Sequence, residues 1–411
     1  MPDAIEEIVY RRCCGLDIHK AEVVACIIVN GRKEIKTFST MTENLLLLAK
    51  WLKDKKIQMT AMESTGSYWK PIFNILEIEE IPAILVNAQH IKTLRGRKTD
   101  VKDAEWIASL LRHGLLSASF VPKRDVRELR ELIKYRGSLT EDSVRALNRI
   151  EKILQGANIK LSNVISKTGT KTELSIIEAL ASGENDPEKL AQLAQGTLKN
   201  KKGEIKRALN GFLGDHQRLL LKSMYKHLKQ IEEEKAVIEA EIDKRMAKDA
   251  AIIECLEAIP GVGKTTAQSI LAEIGTNMDQ FPSEKHLASW AGICPGQNES
   301  AGKRKSGKTR KGNSHLKKTL AQCANSASHT KNTYLSAQFK RISARRGRKR
   351  AIIAVAHTIL VICYVLIRDR VNYRELGADF FDKRDKAGIV KRSVKRLEAL
   401  GYEVSVKPKA A

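Results

Sequence analysis

Cys13-Cys-Gly-Leu-Asp-Ile18 is an apolar, strand-like run interrupted by one carboxylate, Asp17. A carboxylate buried in a strand is costly unless something compensates it, and a divalent cation shared with other carboxylates is the usual compensation. Outward from this run, Val23 to Asn30 and Glu34 to Thr40 read as two further strands, with Asn30-Gly31 as the tight turn between them. The three make an antiparallel meander. Leu45 to Leu52 then repeats apolar residues at helical spacing, and Met59 to Glu63 returns to strand, ending on a second carboxylate. Tyr68 to Leu76 is helical, Ala83 to Val86 is a short strand, and a helix opens near Thr99 with Asp100 and Asp103.

Three hairpin strands followed by alternating helices and strands is the ribonuclease-H-like order. In it the first and fourth strands lie side by side, which predicts that Asp17 and Glu63 meet. Asp100 and Asp103 are three apart, so both carboxylates leave one face of a first helical turn. A helix N-terminus capped by Thr99 would favour these aspartates without any metal, and that is the plain alternative. Taken together, Asp17, Glu63, Asp100 and Asp103 read as a carboxylate set for a divalent cation and for metal-dependent phosphodiester chemistry. Lys20, Lys98 and Lys102 lie beside these acids, either to meet a scissile phosphate or simply as solvated charges.

The chain has 411 residues, too many for one core, and divides by composition into 1–123, 124–250 and 251–411. Its 73 Lys and Arg against 48 Asp and Glu give a net charge of +25, natural for a protein that neutralises nucleic-acid phosphates. A generally adhesive basic protein is the bland alternative. Seven cysteines form no CxxC pair and fall mostly in apolar runs, which argues against a zinc site or a disulfide framework. Met1 to Tyr10 lacks an apolar signal core, so a cytoplasmic, nucleoid-associated protein is expected. Ala351 to Ile367 is apolar and flanked by Arg348, Lys349, Arg350, Arg368 and Arg370. It falls short of the roughly 20 residues that span a bilayer, and a buried helix rather than a membrane span is expected.

The fold class expected is therefore α/β plus all-α. From Arg124 to Ile153 and from Asp215 to Ala247 the composition implies long helices. Leu221, Met224, Leu228, Ile231, Ile238 and Ile242 follow three and four spacing, with Lys235 at one inward position, as in an antiparallel or dimeric coiled coil. A helical hairpin packed on itself is the alternative. Between them, Gly169 to Gly203 reads as a loop-rich tip.

Ala258-Ile-Pro-Gly-Val-Gly-Lys-Thr265 fits a relaxed phosphate-loop pattern. A nucleotide loop should follow a buried strand, yet Ala251 to Glu257 reads as a helix, so a helix-hairpin-helix is favoured, with the turn at Gly261, Gly263 and Lys264 holding a DNA phosphate. Beyond it, Ser300 sits between Glu299 and Ala301-Gly302 on an expected exposed loop, followed by Lys303, Arg304, Lys305, Lys308, Arg310 and Lys311. It reads either as a nucleophile in a field that attracts phosphate or as an ordinary loop serine. A second basic run holds Arg345, Arg346, Arg348, Lys349 and Arg350.

Six segments carry a resemblance that spans nearly the whole chain: Gly15-Leu-Asp-Ile-His-Lys20, Glu63-Ser-Thr-Gly-Ser-Tyr68, Lys98-Thr-Asp-Val-Lys-Asp-Ala104, Ile259-Pro-Gly-Val-Gly263, Pro295-Gly-Gln-Asn-Glu-Ser-Ala-Gly-Lys303 and Lys311-Gly-Asn313. In these the chain resembles the DEDD transposases of IS110-type insertion sequences, including the IS1111 branch, relatives of the Piv DNA invertases. The resemblance implies a RuvC-like domain holding Mg2+ through Asp17, Glu63, Asp100 and Asp103, and a transposase domain in which Ser300 attacks the DNA phosphate. It further implies guidance by a structured bridge RNA that pairs with target and donor DNA. Two departures stand out. Glu299-Ser300-Ala301-Gly302 replaces the common Ser-Ser-Gly-Gly, and Lys308-Thr309 replaces a common Ser or Ile.

The function expected is that of a transposase or site-specific recombinase acting as a homo-oligomer, dimer or tetramer, with the coiled coil as the assembly seam. Two other classes make different predictions. A hydrolytic RuvC-like nuclease would still cleave as Ser300→Ala, and a non-enzymatic nucleic-acid binder would be indifferent to magnesium.

Overall fold

The computed structural model describes residues 8–64, 66–86, 103–166, 168–296, 298–300, 303–309 and 312–407. The chain separates into two compact units, Met1–Asp125 and Val126–Ala411.

In the first unit β1 (Arg12–Ile18), β2 (Glu22–Val29) and β3 (Arg32–Ser39) form the expected antiparallel meander. Asn30 and Gly31, both at positive φ, turn the chain between β2 and β3. After α1 (Thr42–Asp54), β4 (Met59–Glu63) runs parallel to β1; after α2 (Trp69–Ile78), β5 (Ala83–Val86) runs parallel to β4. The sheet order is β3-β2-β1-β4-β5, which places the first and fourth strands side by side as the sequence predicts.

The central strands are buried on both faces, which explains their continuous apolar character. Cys14, Leu16, Ile18, Val23, Ala25, Ile27 and Met62 pack against α1 and α2 through Leu48, Leu52, Ile72 and Leu76. Cys13, Cys26, Ile28, Ala61 and Val86 face the other way, onto Ala104, Ile107, Ala108 and Leu111 of α3 (Asp103–Arg112).

The second unit has two cores. α4 (Arg124–Gly156) runs antiparallel to a later helix, α8 (Asp215–Arg245), tied to it by Glu128 with Arg245 at 3.1 Å, Tyr135 with Glu234, and Ser143 with Glu232 at 2.6 Å. Leu221, Leu228 and Ile231 of α8 are buried with Leu139, Ala146, Ile150 and Leu154 of α4. Part of the stripe read as an assembly seam therefore packs within the chain, while Met224 and Ile238 are partly buried.

Gly169 to Gly203 is also not loop-rich. It folds into α5 (Lys171–Ser182), α6 (Pro187–Gln192) and a short 3-10 turn, followed by α7 (Lys202–Ala208). Thr170 and Asp186 cap α5 and α6, and Ile176, Ile177, Leu180 and Leu190 join the α4/α8 core. The polar composition hid short helices whose one apolar face is narrow.

The other core gathers α9 (Ala250–Glu257), α10 (Lys264–Ile274), α11 (Glu284–Trp290), α12 (Ser314–His329), α13 (Tyr334–Arg346) and α14 (Arg348–Asp369). By length and composition α14 alone among the described helices could cross a membrane. Its Val355, Ala356, Ile359, Leu360, Cys363 and Ile367 instead form the centre of this core, and the Tyr364 hydroxyl donates to the Phe281 carbonyl at 3.1 Å. Two short C-terminal helices follow, α15 (Phe380–Arg384) and α16 (Lys386–Glu398). Between α11 and α12, Ser300 ends β6 (Asn298–Ser300), which pairs antiparallel with β7 (Lys303–Ser306). Where an irregular loop was expected, the segment is a hairpin with Ser300 opposite Lys303.

Candidate functional site

The carboxylate site starts from a glycine. Were Gly15 to carry a Cβ, that atom would lie 2.2 Å from the Ala104 carbonyl oxygen and 2.4 Å from the Ala108 nitrogen. Only glycine lets α3 lie this close on β1. Asp17 follows two residues later on the same face of the strand, and Asp103 precedes Ala104 at the first turn of α3. The close approach thus sets the start of α3 beside the C-terminal end of β1.

Glu63 reaches the same end by register. The parallel pairing runs from Cys13 with Met59 to Leu16 with Met62, so Asp17 and Glu63 are the next residues on neighbouring strands, which lie about 4.8 Å apart. Both belong to the face that carries α3. Asp17 is a quarter exposed, at 25 %, and its Oδ2 lies 3.1 Å from Nε2 of the solvent-facing His19. Asp17 and Glu63 are both partly exposed at the strand ends. Asp100, Lys98 and Lys102 lie outside the described residues.

The donors on this rim are all carboxylate oxygens, the ligands that a hard cation such as Mg2+ takes, usually with waters and substrate phosphate completing its shell. Among the described residues no three His, Cys, Asp or Glu side chains are gathered closely enough to enclose an ion. Asp17, Glu63 and Asp103 are all carboxylates, the donor type of a hard-cation site.

In the second unit, Ile259 to Gly263 connects α9 to α10, and no strand precedes it, so a phosphate loop of the nucleotide-binding type is not built here. Gly261 has φ +87°, and a Cβ on it would meet the Ala327 nitrogen and the Cys323 carbonyl at 2.5 Å. Its role is close packing on α12. The Gly263 amide donates to the Thr266 hydroxyl at 2.9 Å, and Lys264 Nζ lies 2.7 Å from Asp243 Oδ2. Two of the groups expected to hold a phosphate are thus engaged within the chain.

The hairpin holding Ser300 is anchored at its base. Pro295 bridges Thr309, the Gly296 amide donates to the Lys308 carbonyl at 2.9 Å, and the Asn313 amide donates to the Trp290 carbonyl at 3.2 Å. Lys303, Arg304 and Lys305 lie on β7, while Arg310 and Lys311 lie outside the described residues. Arg345 and Arg346 end α13, and Arg348, Lys349 and Arg350 begin α14 across Gly347; all five are exposed. The two units each carry part of the expected residue set, Asp17, Glu63 and Asp103 in one and Ser300 with the basic runs in the other.

Sequence reasoning missed a buried polar group beneath the hairpin: Glu273, only 2 % exposed, with Arg130 and Asn313. One signal was present, a lone acid in the otherwise apolar or small run Ser269 to Ile274. It also missed the His19 contact with Asp17, which no spacing rule encodes.

Two family models match the chain: the IS110-type DEDD transposase model over residues 14–159, and the transposase IS116/IS110/IS902 family model over residues 253–340. The transposase for insertion sequence element IS1111A of Coxiella burnetii is 26 % identical over 370 residues, 88 % of this chain and 90 % of that protein. An insertion element IS110 protein of 43.6 kDa from Streptomyces coelicolor is 24 % identical, over 71 % of this chain and 74 % of its own length. The pilin gene-inverting protein of Moraxella bovis is 33 % identical over 116 residues, 28 % of this chain and 36 % of its own. The first matched segment ends just past α4 and the second runs from within α9 to the middle of α13, so Asp17, Glu63 and Asp103 and the serine hairpin all fall inside matched sequence. The chain belongs to the IS110-type family of insertion-sequence transposases.

Proposed function

We propose that this transposase cuts and rejoins DNA by a composite mechanism, with Ser300 as nucleophile and the carboxylate rim as the site of a divalent cation. The observation that carries the reading is the placement of Asp17 and Glu63 side by side at the ends of β1 and β4, with Asp103 at the start of the helix that Gly15 admits. The strand order and the crossing of α3 support a RuvC-like, ribonuclease-H-like fold for this unit.

Asp17, Glu63 and Asp103, with Asp100 as the fourth carboxylate, would hold Mg2+, which when bound supplies positive charge to a phosphate in substitution. Ser300 Oγ forms the new P–O bond while the scissile P–O bond to deoxyribose breaks; the serine proton passes to a base and the leaving oxygen takes up a proton. The phosphodiester energy is retained in a phosphoserine link, so rejoining needs no other energy source. The chain ends of the hairpin, Pro295 with Thr309 and Gly296 with Lys308, give that serine a fixed stalk.

The basic run at the α13–α14 corner is the main nucleic-acid contact in this reading. Arg348, Lys349 and Arg350 stand in the first turn of α14, where the helix dipole disfavours cations, an arrangement that a bound polyanion relieves. A structured bridge RNA accounts for target choice without base-reading side chains, in keeping with a surface rich in Lys and Arg. The α9–turn–α10 segment acts as a helix-hairpin-helix that meets the backbone mainly through Lys264, once released from Asp243. Joining two duplexes calls for at least two protomers.

The test compares wild type, Asp17→Asn and Ser300→Ala on DNA carrying the element's junction, with RNA from its noncoding ends and Mg2+. Wild type should yield protein covalently attached to DNA, and both variants should lose the attachment while still binding DNA. Cleavage by Ser300→Ala at the wild-type rate would replace this reading with a hydrolytic nuclease.

A further inference from the structure

Glu273 is the feature of the second unit that packing alone does not explain. It lies in α10, 2 % exposed, with apolar neighbours Ile270 and Ile274 at full burial. A carboxylate so placed requires partners of high quality. It has two. Arg130 of α4 approaches its Oε2 at 3.4 Å, and the same guanidinium donates to the Ala272 and Glu273 carbonyls. The Asn313 side-chain amide donates to Oε2 at 2.6 Å.

Asn313 is used at both ends. While its Nδ2 donates to Glu273, its Oδ1 accepts from the Leu316 amide at 3.0 Å and caps α12. Only an amide does both: a carboxylate caps as well but cannot donate, and a hydroxyl caps but is too short to span. His315 follows on α12, where burial lowers its pKa, and the cation within ion-pair distance of Glu273 is Arg130.

What the group supports is the return strand of the serine hairpin. Asn313 donates its backbone amide to Trp290, and Gly312 lies against Gly292 so tightly that a Cβ on it would meet the Gly292 nitrogen at 2.4 Å. Four residues before Asn313, Thr309 bridges Pro295 and closes the stalk.

We infer that Glu273 and Asn313 are positioning residues, which together with Arg130 fix the stalk of the β6–β7 hairpin and thereby the aim of Ser300. The inference rests on Ser300 being the nucleophile, and neither residue touches the reacting phosphate. Its energetic logic is that a hydrogen bond between a buried carboxylate and an amide holds one orientation, whereas apolar packing would tolerate several.

The experiment uses the full chain as wild type, Asn313→Ser, Asn313→Asp and the swap Glu273→Gln with Asn313→Asp. Asn313→Ser keeps the helix cap and deletes only the bond to Glu273; Asn313→Asp keeps the cap and sets two carboxylates against each other with no donor between them. The swap reverses the donor and acceptor and keeps one negative charge beside Arg130. Each protein is measured for melting temperature, DNA affinity, hydrogen exchange at the Gly296 amide, and rate of covalent attachment to DNA. Asn313→Ser and Asn313→Asp should lose protection at Gly296 and attach about tenfold to a hundredfold more slowly, with DNA affinity unchanged. The swap should recover both readouts. Unchanged protection and rate in Asn313→Ser, or a swap no better than Asn313→Asp alone, overturns the inference. If wild type itself forms no attachment, the Ser300 reading is what fails, and the exchange pattern across the same four proteins still decides whether Glu273 fixes the stalk.

Discussion

Gly15 shows how much of the site depends on one residue. Its lack of a Cβ lets α3 rest on β1, and α3 begins with Asp103 beside the strand end where Asp17 and Glu63 are adjacent in register. Gly15→Ala should force α3 outward: overpacking of this kind costs about 1–3 kcal/mol, and displacement of Asp103 should cost activity beyond the loss of stability. Thermal unfolding and strand cleavage measured on the same preparation check this, and a variant as active and as stable as wild type counts against the proposed geometry. The place of Asp17 near the end of a central strand was legible in the sequence, because it is the lone carboxylate in an apolar run. Glu273 was not, since its partners Arg130 and Asn313 lie 143 and 40 positions away in sequence and only the fold joins them.

Secondary elements divide the same way. The meander, β4 and β5 were readable from apolar runs and from the Asn30-Gly31 turn, because both faces of the sheet are covered and each strand is continuous in its hydrophobicity. The helices between Gly169 and Gly203 were hidden by polar composition, and the hairpin at Ser300 by glycine and charge, which mark turns without stating what they join. Cys13 and Cys26, on the α3 face of the sheet, offer a test of that layer. Burial pushes each thiol up to about 11, with Glu105 adding to the effect on Cys26. A raised thiol pKa favours the neutral form in the fold, so its contribution is intact below the unfolded value near 8.5 and is lost as pH climbs through about 11. The melting temperature should therefore fall across that window, and less steeply in a Cys13→Ala, Cys26→Ala protein. Equal slopes would mean that these thiols are not held neutral by α3.

At the scale of the molecule, the net charge of +25 predicts binding to nucleic acid that weakens steeply with salt. Replacing Arg346, Lys349 and Arg350 with alanine should lower the slope of log affinity against log salt by about 2 to 3, if each meets one phosphate. An unchanged slope moves the nucleic-acid path away from the α13–α14 corner. The basic character was evident from composition, yet composition does not say which cations are committed elsewhere, as Lys264 is to Asp243. Likewise the long-helix pattern was legible, but only the fold reveals that Leu221, Leu228 and Ile231 of α8 pack with α4.

The central claim is that DNA is joined to this protein through Ser300, and peptide mapping of the covalent protein–DNA product tests it most directly. After nuclease trimming and proteolysis, mass spectrometry should find a nucleotide phosphate on the peptide containing Ser300 in wild type, and no such peptide in Asp17→Asn. A nucleotide carried by a different residue, or DNA cleaved with Ser300 always unmodified, would contradict the account.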